Sequence, residues 1–400
     1  MEKRHIVFVT LELPYPSTSG GRIYTWERMK ILKSLGYDIT LFSIVDDKEE
    51  INYEHMKNIC SNIKTYRREN KYLKAIKYFW KPFSVATRFI PKMKKDLVEF
   101  IECNNIDLVI ADSAIIAENC FNNVSPIILT QHNIEYLTFK SMANETTNVL
   151  KRIVYFREYF LCKQYEGKLY KNKSIIGYTF ISFEDKKLFD SMYPNKNTFL
   201  IPMGWHDCCL KYNFSNSPQE CKKIVFTGKM NYEPNVQAVK YFSESIFPKI
   251  KEKYENVKFY IVGKKPTKEV KDLELIKGIK VTGFVESTEK YLYDADIVVI
   301  PLLSGGGVKI KLFEALGKRK IVVTTSKGVE GTEFTHREDL LVADESNKFA
   351  QYCIEILSNK SKYEYLGDNG YKKLNSIYSW NEIGKKYKKF IESTITNRNN

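Results

Sequence analysis

The chain predicts an α/β protein built from two doubly wound parallel-sheet domains in tandem. Three observations carry this. Its 400 residues exceed the roughly 100–200 of one compact domain, short apolar runs alternate with helical patterns, and that rhythm restarts near the middle. Strands apolar on both faces are buried between helix layers, the condition of a parallel sheet. A hydrophobic fraction of 43% with 28% charged residues is a globular composition, which excludes disordered and low-complexity classes.

The first half opens with HIVFVT (5–10) and DITLFSI (38–44). Between them Ile23, Trp26, Met29, Ile31 and Leu32 recur at helical spacing. IDLVIAD (106–112), PIILTQH (126–132), SIIGYTFIS (174–182) and NTFLIPMG (197–204) follow. The second half runs KIVFTG (223–228), KFYIVG (258–263), IKVTGFV (279–285), DIVVIPL (296–302), KIVVTTS (320–326) and LLVAD (340–344). These spacings leave the crossovers of a dozen or more residues that parallel strands need. The expected divisions are a first domain over 1–207, a polar linker over 208–221, a second domain over 222–378 and a closing helical segment over 379–400. Ligands of such sheets sit at the carboxyl ends of the strands, so a cleft between the two domains is the expected site.

No run reaches the ~18–20 uncharged apolar residues of a membrane-spanning helix. The apolar run after MEKR is too short for a signal peptide, and the chain reads as cytoplasmic. Eight cysteines form no Cys-x-x-Cys pair, which suits free thiols in a reducing compartment. None of the five histidines lies within helical reach of another, so no metal site is expected. The net charge of +15 points to a polyanionic partner: nucleic acid, an anionic membrane or a phosphorylated small molecule.

The strand ends carry the candidate chemistry. After the first strand, Gly20 and Gly21 open a helix whose bare amides could approach an anion, or serve a tight turn capped by Ser19. His132 follows PIILTQ, where it could polarise a hydroxyl or be a satisfied structural residue. The densest signal is DIVVIPLLSGGGVKIKLFEALGKRKIVVTTSKGVEG. Amides of Gly305, Gly306 and Gly307 at a helix start would cradle a diphosphate. Lys309, two residues into the helix, would add a charge, and Glu314 two turns deeper would accept the ribose hydroxyls. Lys311 could join the anion site or pair with Glu314 within the helix. An anion cradle with a diol acceptor is a nucleotide site; no Gly-Lys-Ser/Thr closes it, so it is not a Walker A loop.

That stretch resembles the nucleotide-sugar signature of GT-B glycosyltransferases, specifically glycosyltransferase family 4. LPYPSTSGGRIY, LTQHNIEY at the fourth-strand region, IPMG, FTGKMNYEPNVQAVKYF, FYIVGKKP and VTGFVE fall in register with it, over roughly Val7–Asp344. The resemblance implies the GT-B fold: two Rossmann-like domains facing an inter-domain cleft, donor mainly on the second and acceptor mainly on the first. It also implies retaining, metal-independent transfer of a sugar from a nucleotide diphosphate, a co-substrate rather than a resident cofactor. Glu314 matches the second Glu of the family's Glu-x7-Glu motif, His132 the histidine near the reaction centre, and Gly228–Lys229 the Gly-Arg pair that contacts the diphosphate. Phe284, Val285 and Val308 fall among the implied nucleotide contacts, and the final helix resembles the segment that returns to the first domain.

This sequence departs from the pattern at three places. The first Glu falls at Gly306, the second diphosphate-binding Lys at Pro234, and Lys229 lacks the bidentate fork of an Arg. Lys309 or Lys311 is expected to replace the missing cation, and the amides of 306–308 the carboxylate. Catalysis then rests on His132, Lys229 and Lys309, with cations and amides stabilising the departing diphosphate.

Residues 66–95 carry ten Lys and Arg against one acid, Glu69, interleaved with Tyr72, Ile76, Phe79, Trp80 and Phe83. Such mixing suits a helix lying on an anionic leaflet. The expected partners are thus a nucleotide sugar, a saccharide or lipid-linked saccharide acceptor, and an anionic membrane surface; the basic stretch has no nucleic-acid recognition module. The setting implied by the family is bacterial surface polysaccharide assembly. Two other classes fit the same cleft: a nucleotide-sugar epimerase of the GT-B fold, and a non-catalytic nucleotide-sugar-binding protein.

Overall fold

The computed structural model describes residues 4–17, 19–46, 53–121, 125–146, 148–206, 221–305 and 307–396. The expected linker 208–221, apart from Cys221, and the candidate Gly306 lie outside these residues. The chain divides into two compact units, Met1–Gly204 with Trp380–Asn400, and Trp205–Ser379.

The first unit holds a seven-stranded sheet. In chain order its strands are β1 (His5–Thr10), β2 (Asp38–Val45), β3 (Asn62–Arg67), β4 (Leu108–Ala111), β5 (Ile127–Gln131), β6 (Ile175–Phe180) and β7 (Thr198–Leu200). They lie in the order β3-β2-β1-β4-β5-β6-β7, every neighbouring pair parallel. The continuous apolar runs are the buried strands, as in β1, where Ile6, Val7, Phe8 and Val9 are all inaccessible. β3 is a correction to the sequence reading, which contains no strand there. The residues NIKTYR pair only at an edge, against β2, and are mostly half-buried. LTQH consequently ends the fifth strand, not the fourth.

The helix Trp380–Thr396 belongs to this unit and lies against the helix Gly20–Ser34. A Cβ at Gly384 would fall 2.4 Å from Ile31 Cγ2, so only glycine admits this approach. Gly204, at the end of IPMG, is needed for the same reason, since a Cβ there would lie 2.2 Å from the Trp380 ring.

The second unit holds β8 (Lys223–Thr227), β9 (Lys258–Val262), β10 (Ile279–Gly283), β11 (Ile297–Ile300), β12 (Val322–Thr324) and β13 (Leu341–Val342) in the order β10-β9-β8-β11-β12-β13. This sheet too is parallel throughout. Each unit thus repeats the 3-2-1-4-5-6 winding, whose strand order reverses between β1 and β4 and again between β8 and β11. The crevice at that reversal is where doubly wound sheets bind ligands. The second unit is entered and left side by side: Trp205 N donates to Tyr378 O at 2.6 Å.

The tightest backbone approach lies at the strand ends of this unit. Gly263 has φ 153°, and a Cβ there would fall 1.7 Å from the carbonyl oxygen of Gly228. No rotamer relieves a clash with backbone, so Gly263→Ala is expected to destabilise the protein by about 1–3 kcal/mol or more. Urea unfolding with a domain-resolved probe checks this; an unchanged midpoint would show that β8 and β9 can separate there at no cost.

Candidate functional site

The second unit contains a pocket of about 510 Å³ at the carboxyl ends of β8, β9, β10 and β11. Thr227, Gly228 and Lys229 approach it from β8, Gly263 from β9, and Phe284 and Val285 from β10. The segment after β11 adds Val308, Lys309, Ile310, Lys311 and Glu314. Lys229, Lys309, Gly228, Phe284, Val285, Val308, Lys311 and Glu314 are therefore gathered in one place from three strand ends.

The glycine turn itself differs from its expected geometry. The helix after it begins at Ile310 with Lys309 as its N-cap, so Lys309 is not two residues inside. Gly305 and Gly307 precede the helix with φ of 99° and 72°, a left-handed turn that glycine forms without strain. Neither is among the residues lining the pocket, which is lined from Val308 onward. Pro234 has a place here as well: a Cβ at Gly305 would lie 3.3 Å from its ring. The proline that stands where the resemblance puts a lysine thus packs on the glycine turn.

The two lysines separate in role. Lys309 Nζ donates to Gly305 O at 3.0 Å and also to Gly307 O, so its ammonium fastens the turn. Burial lowers its pKa. Lys309 also lines the pocket, so it adjoins the donor region while holding the turn. Lys311 instead points toward β8. Its Nζ donates to Asn235 Oδ1 at 2.7 Å and stands 3.9 Å from the centre of the Phe226 ring. A Cβ on Gly228 would come within 2.9 Å of the same ammonium. Burial pushes the Lys311 pKa down to about 7 against the opposing pull of Glu314. Burial raises the pKa of Glu314, with Lys311 and Lys318 working the other way.

Asn235 was not legible in the sequence. Its Oδ1 holds Lys311 while its Nδ2 donates to Lys229 O at 3.0 Å, tying the turn after β8 to the helix after β11. Thr227 lines the same pocket, and its Oγ1 is buried without a hydrogen-bond partner.

In the first unit, His132 follows β5 and faces a buried charge cluster. The guanidinium of Arg28, wholly buried, donates to Asp112 and to Thr130 Oγ1, the latter at 2.9 Å. Thr25 donates to the other Asp112 oxygen. His132 Nε2 is 3.6 Å from Asp112 Oδ1, beyond hydrogen-bond distance, and is itself buried without a partner. Burial and then the Arg28 charge push the His132 pKa down to about 4, so the ring is neutral at pH 7. Its proton can serve as a donor and its lone pair as an acceptor, but it carries no charge.

Gly20 and Gly21 open the helix after β1 as expected, with Ser19 Oγ accepting from Arg22 N at 3.3 Å. Glu12 stands at the same helix start, 2.8 Å from Arg22 Nε and with Oε1 3.7 Å from where a Gly21 Cβ would be. The chain's own carboxylate thus already brings negative charge to this terminus. Among the described residues, no group of three or more His, Cys, Asp or Glu is placed to hold a metal ion.

The pocket's frame has relatives. Residues 221–359 match the family model of the Glycosyl transferases group 1. The matched residues lie wholly within the second unit. Over the whole length, the chain is 26% identical across 399 residues to an uncharacterised 44.6 kDa protein in the cps region of Klebsiella pneumoniae, covering 94% of this chain and 97% of that one. Among solved structures it is similar to sucrose-phosphate synthase from Thermosynechococcus elongatus, with TM-score 0.70, 14% identity, and coverage of 98% and 100%. It is also similar to S. aureus TarM bound to fondaparinux, α-GlcNAc-glycerol and UDP, with TM-score 0.64, 14% identity, and coverage of 97% and 99%. The two doubly wound sheets are the GT-B fold. The chain is accordingly a glycosyltransferase.

Proposed function

We propose that this glycosyltransferase belongs to glycosyltransferase family 4 and moves a sugar, with retention and without a metal, from a nucleotide diphosphate to a saccharide acceptor. The observation that carries the donor assignment is the meeting of Lys229, Lys311 and Glu314 in one pocket at the sheet's switch point. Two ammonium groups and a helix start suit a diphosphate; a partly buried carboxylate suits the ribose diol. Thr227 Oγ1, buried and unpaired, offers a further polar contact to a bound ligand.

As the anomeric bond breaks, negative charge grows on the diphosphate, and Lys229 and Lys311 lie where they can stabilise it. Lys309 acts as a positioning residue by pinning the turn that sets the helix start. Attack by the acceptor hydroxyl from the leaving-group side retains configuration and passes its proton to the departing phosphate. In the first unit, His132 is the group assigned to the acceptor side, acting as a neutral ring. UDP in the TarM complex supports a uridine-type donor, and a relative from a cps region supports a capsule-type polysaccharide as the product.

A panel of nucleotide sugars in a thermal-shift assay tests this. A cognate donor at 100 times its dissociation constant should stabilise the protein by about 2.7 kcal/mol. Failure of every nucleotide sugar and nucleoside diphosphate to shift the transition would overturn the donor pocket. Release of nucleoside diphosphate only when acceptor is present separates transfer from epimerisation.

A further inference from the structure

The carboxyl end of the first unit's sheet holds two arginines that the site described above does not use. β3, β2, β1, β4 and β5 lie side by side and parallel, so Glu12, Asp46, Arg68 and His132 all follow strands that finish at one end of the sheet. Arg68 is there because β3 exists; without that strand it counts only as one cation of the basic stretch 66–95. Arg88 closes the short helix Phe83–Arg88 and is coupled to the same strand ends. Burial and then the Arg68 charge lower its pKa, with Asp46, Glu12 and Glu135 opposing.

Neither guanidinium is closely matched. Arg68 Nη1 lies 3.5 Å from Asp46 Oδ1 and Nη2 3.5 Å from Thr87 Oγ1, while Nε is buried without a hydrogen-bond partner. Both contacts are longer than the usual range of about 2.7–3.2 Å, and Asp46 is exposed, so water screens its charge. Arg88 Nη1 donates to a neutral atom, Ser84 O, at 3.4 Å, and Ser84 Oγ is itself buried without a partner. Two arginines of the helix Gly20–Ser34 show the contrast: Arg22 Nε stands 2.8 Å from Glu12, and Arg28 is paired with buried Asp112. Arg68 also lines a cavity of about 350 Å³ with Asp46, Glu69, Asn70, Lys71 and Tyr72. Of its two carboxylates, Glu69 is already engaged by Lys74 at 3.0 Å.

A guanidinium fork matches the oxygens of a carboxylate or a phosphate, and one without a close carboxylate is open to such a partner. The pair adjoins the group assigned to the acceptor side. Burial raises the Glu135 pKa against the pull of His132 and then Arg88, so imidazole and guanidinium act on one carboxyl. An acceptor with a hydroxyl at His132 thus brings its neighbouring substituents into the field of Arg88. We propose that Arg68 and Arg88 bind an anionic group of the acceptor, which makes that acceptor an acidic saccharide bearing a carboxylate or a phosphate. This rests on the transferase reading and deepens it by naming what the first unit selects. A neutral saccharide gains nothing from the two charges, so the pair decides which acceptor is taken.

Three probes test it by saturation-transfer NMR titration: methyl β-glucuronide, glucose 6-phosphate and methyl β-glucoside. At least one of the two acids should bind the wild type tenfold or more tighter than the neutral glucoside, and the preference should shrink at ~0.5 M salt, where charge attraction is screened. Which acid is preferred separates a uronate from a phosphorylated sugar. Arg68→Gln with Arg88→Gln should abolish the preference and leave the neutral glucoside unchanged, whereas Arg88→Lys, which keeps the charge, should lose less. Equal binding of all three probes, binding of neither acid, or a preference that survives the double Gln change overturns the proposal. The last outcome also exposes an acid bound in the donor pocket instead. The wild-type preference and its salt dependence decide alone should the double variant fail to fold. Nucleotide-sugar thermal shifts on the same samples keep the two readings apart: a donor shift without acid preference rejects this subsite alone, and acid preference without any donor shift rejects the donor pocket.

Discussion

Replacing Lys311 with methionine is expected to raise the stability of the ligand-free protein while lowering sugar transfer at least about a hundredfold. The two effects share a cause. Lys311 is held against Phe226 and Asn235 with its pKa down to about 7, well below the ordinary 10.5. Between those values the unfolded chain binds a proton that the folded one does not, so this residue's contribution becomes more favourable as pH rises from about 7 toward 10.5. Below pH 7 the buried ammonium is at its most costly. Methionine has nearly the same length and no charge, so it should stabilise most at pH 6, by about 1–4 kcal/mol, with the advantage shrinking toward pH 10. Transfer falls because a cation facing a developing diphosphate charge is worth about 2.7–4 kcal/mol in the transition state. Thermal unfolding across pH, with turnover on the same preparations, gives both readouts. A variant that is less stable at pH 6, or as active as wild type, would remove Lys311 from the donor site. Donor binding should also take up protons near pH 7–8, visible by calorimetry in buffers of different ionisation heat, because a diphosphate restores the charge.

Glu314→Gln should lower kcat/KM for the donor by about 10- to 100-fold, the range of a lost charge-assisted hydrogen bond of roughly 1.5–3 kcal/mol. Shape is kept, so the loss reports the carboxylate's charge, acting directly and through Lys311. A donor lacking one ribose hydroxyl sharpens the test. Wild type should discriminate against it strongly, whereas the Gln variant should discriminate much less, since the two changes remove one interaction. Equal discrimination by both would place the diol elsewhere. Glu314 also raises the Lys311 pKa. Its neutralisation should therefore drive that pKa below about 7 and shift the pH dependence of donor binding toward acid.

Strands buried on both faces were legible because apolar continuity is the direct imprint of two covering helix layers. β3 lacked that imprint. At an edge, a strand needs neither face wholly apolar, and its Lys64 lies over the rings of Phe42 and Phe100, an arrangement no local pattern announces. The glycine turn shows a second limit. Three glycines announce a turn, but whether Lys309 caps the helix or lies within it depends on the carbonyls its ammonium meets. Asn235 was invisible because its meaning comes from Lys311, 76 residues away. The Val149–Leu169 helix drew no reading, because apolar residues at helical spacing look alike in a core or in water until the fold shows their exposure.

The hydrogen bond between Trp205 N and Tyr378 O, 2.6 Å long, makes the segment from 205 to 379 a loop whose ends adjoin. A segment closed in this way can be lifted out and replaced as a cassette, because the host chain must bridge only a short gap. Under the division of labour proposed above, recombination at those two neighbouring points would exchange the sugar being delivered while the recipient stayed the same. New polymers could then arise by shuffling whole modules, without point-by-point remodelling of a pocket.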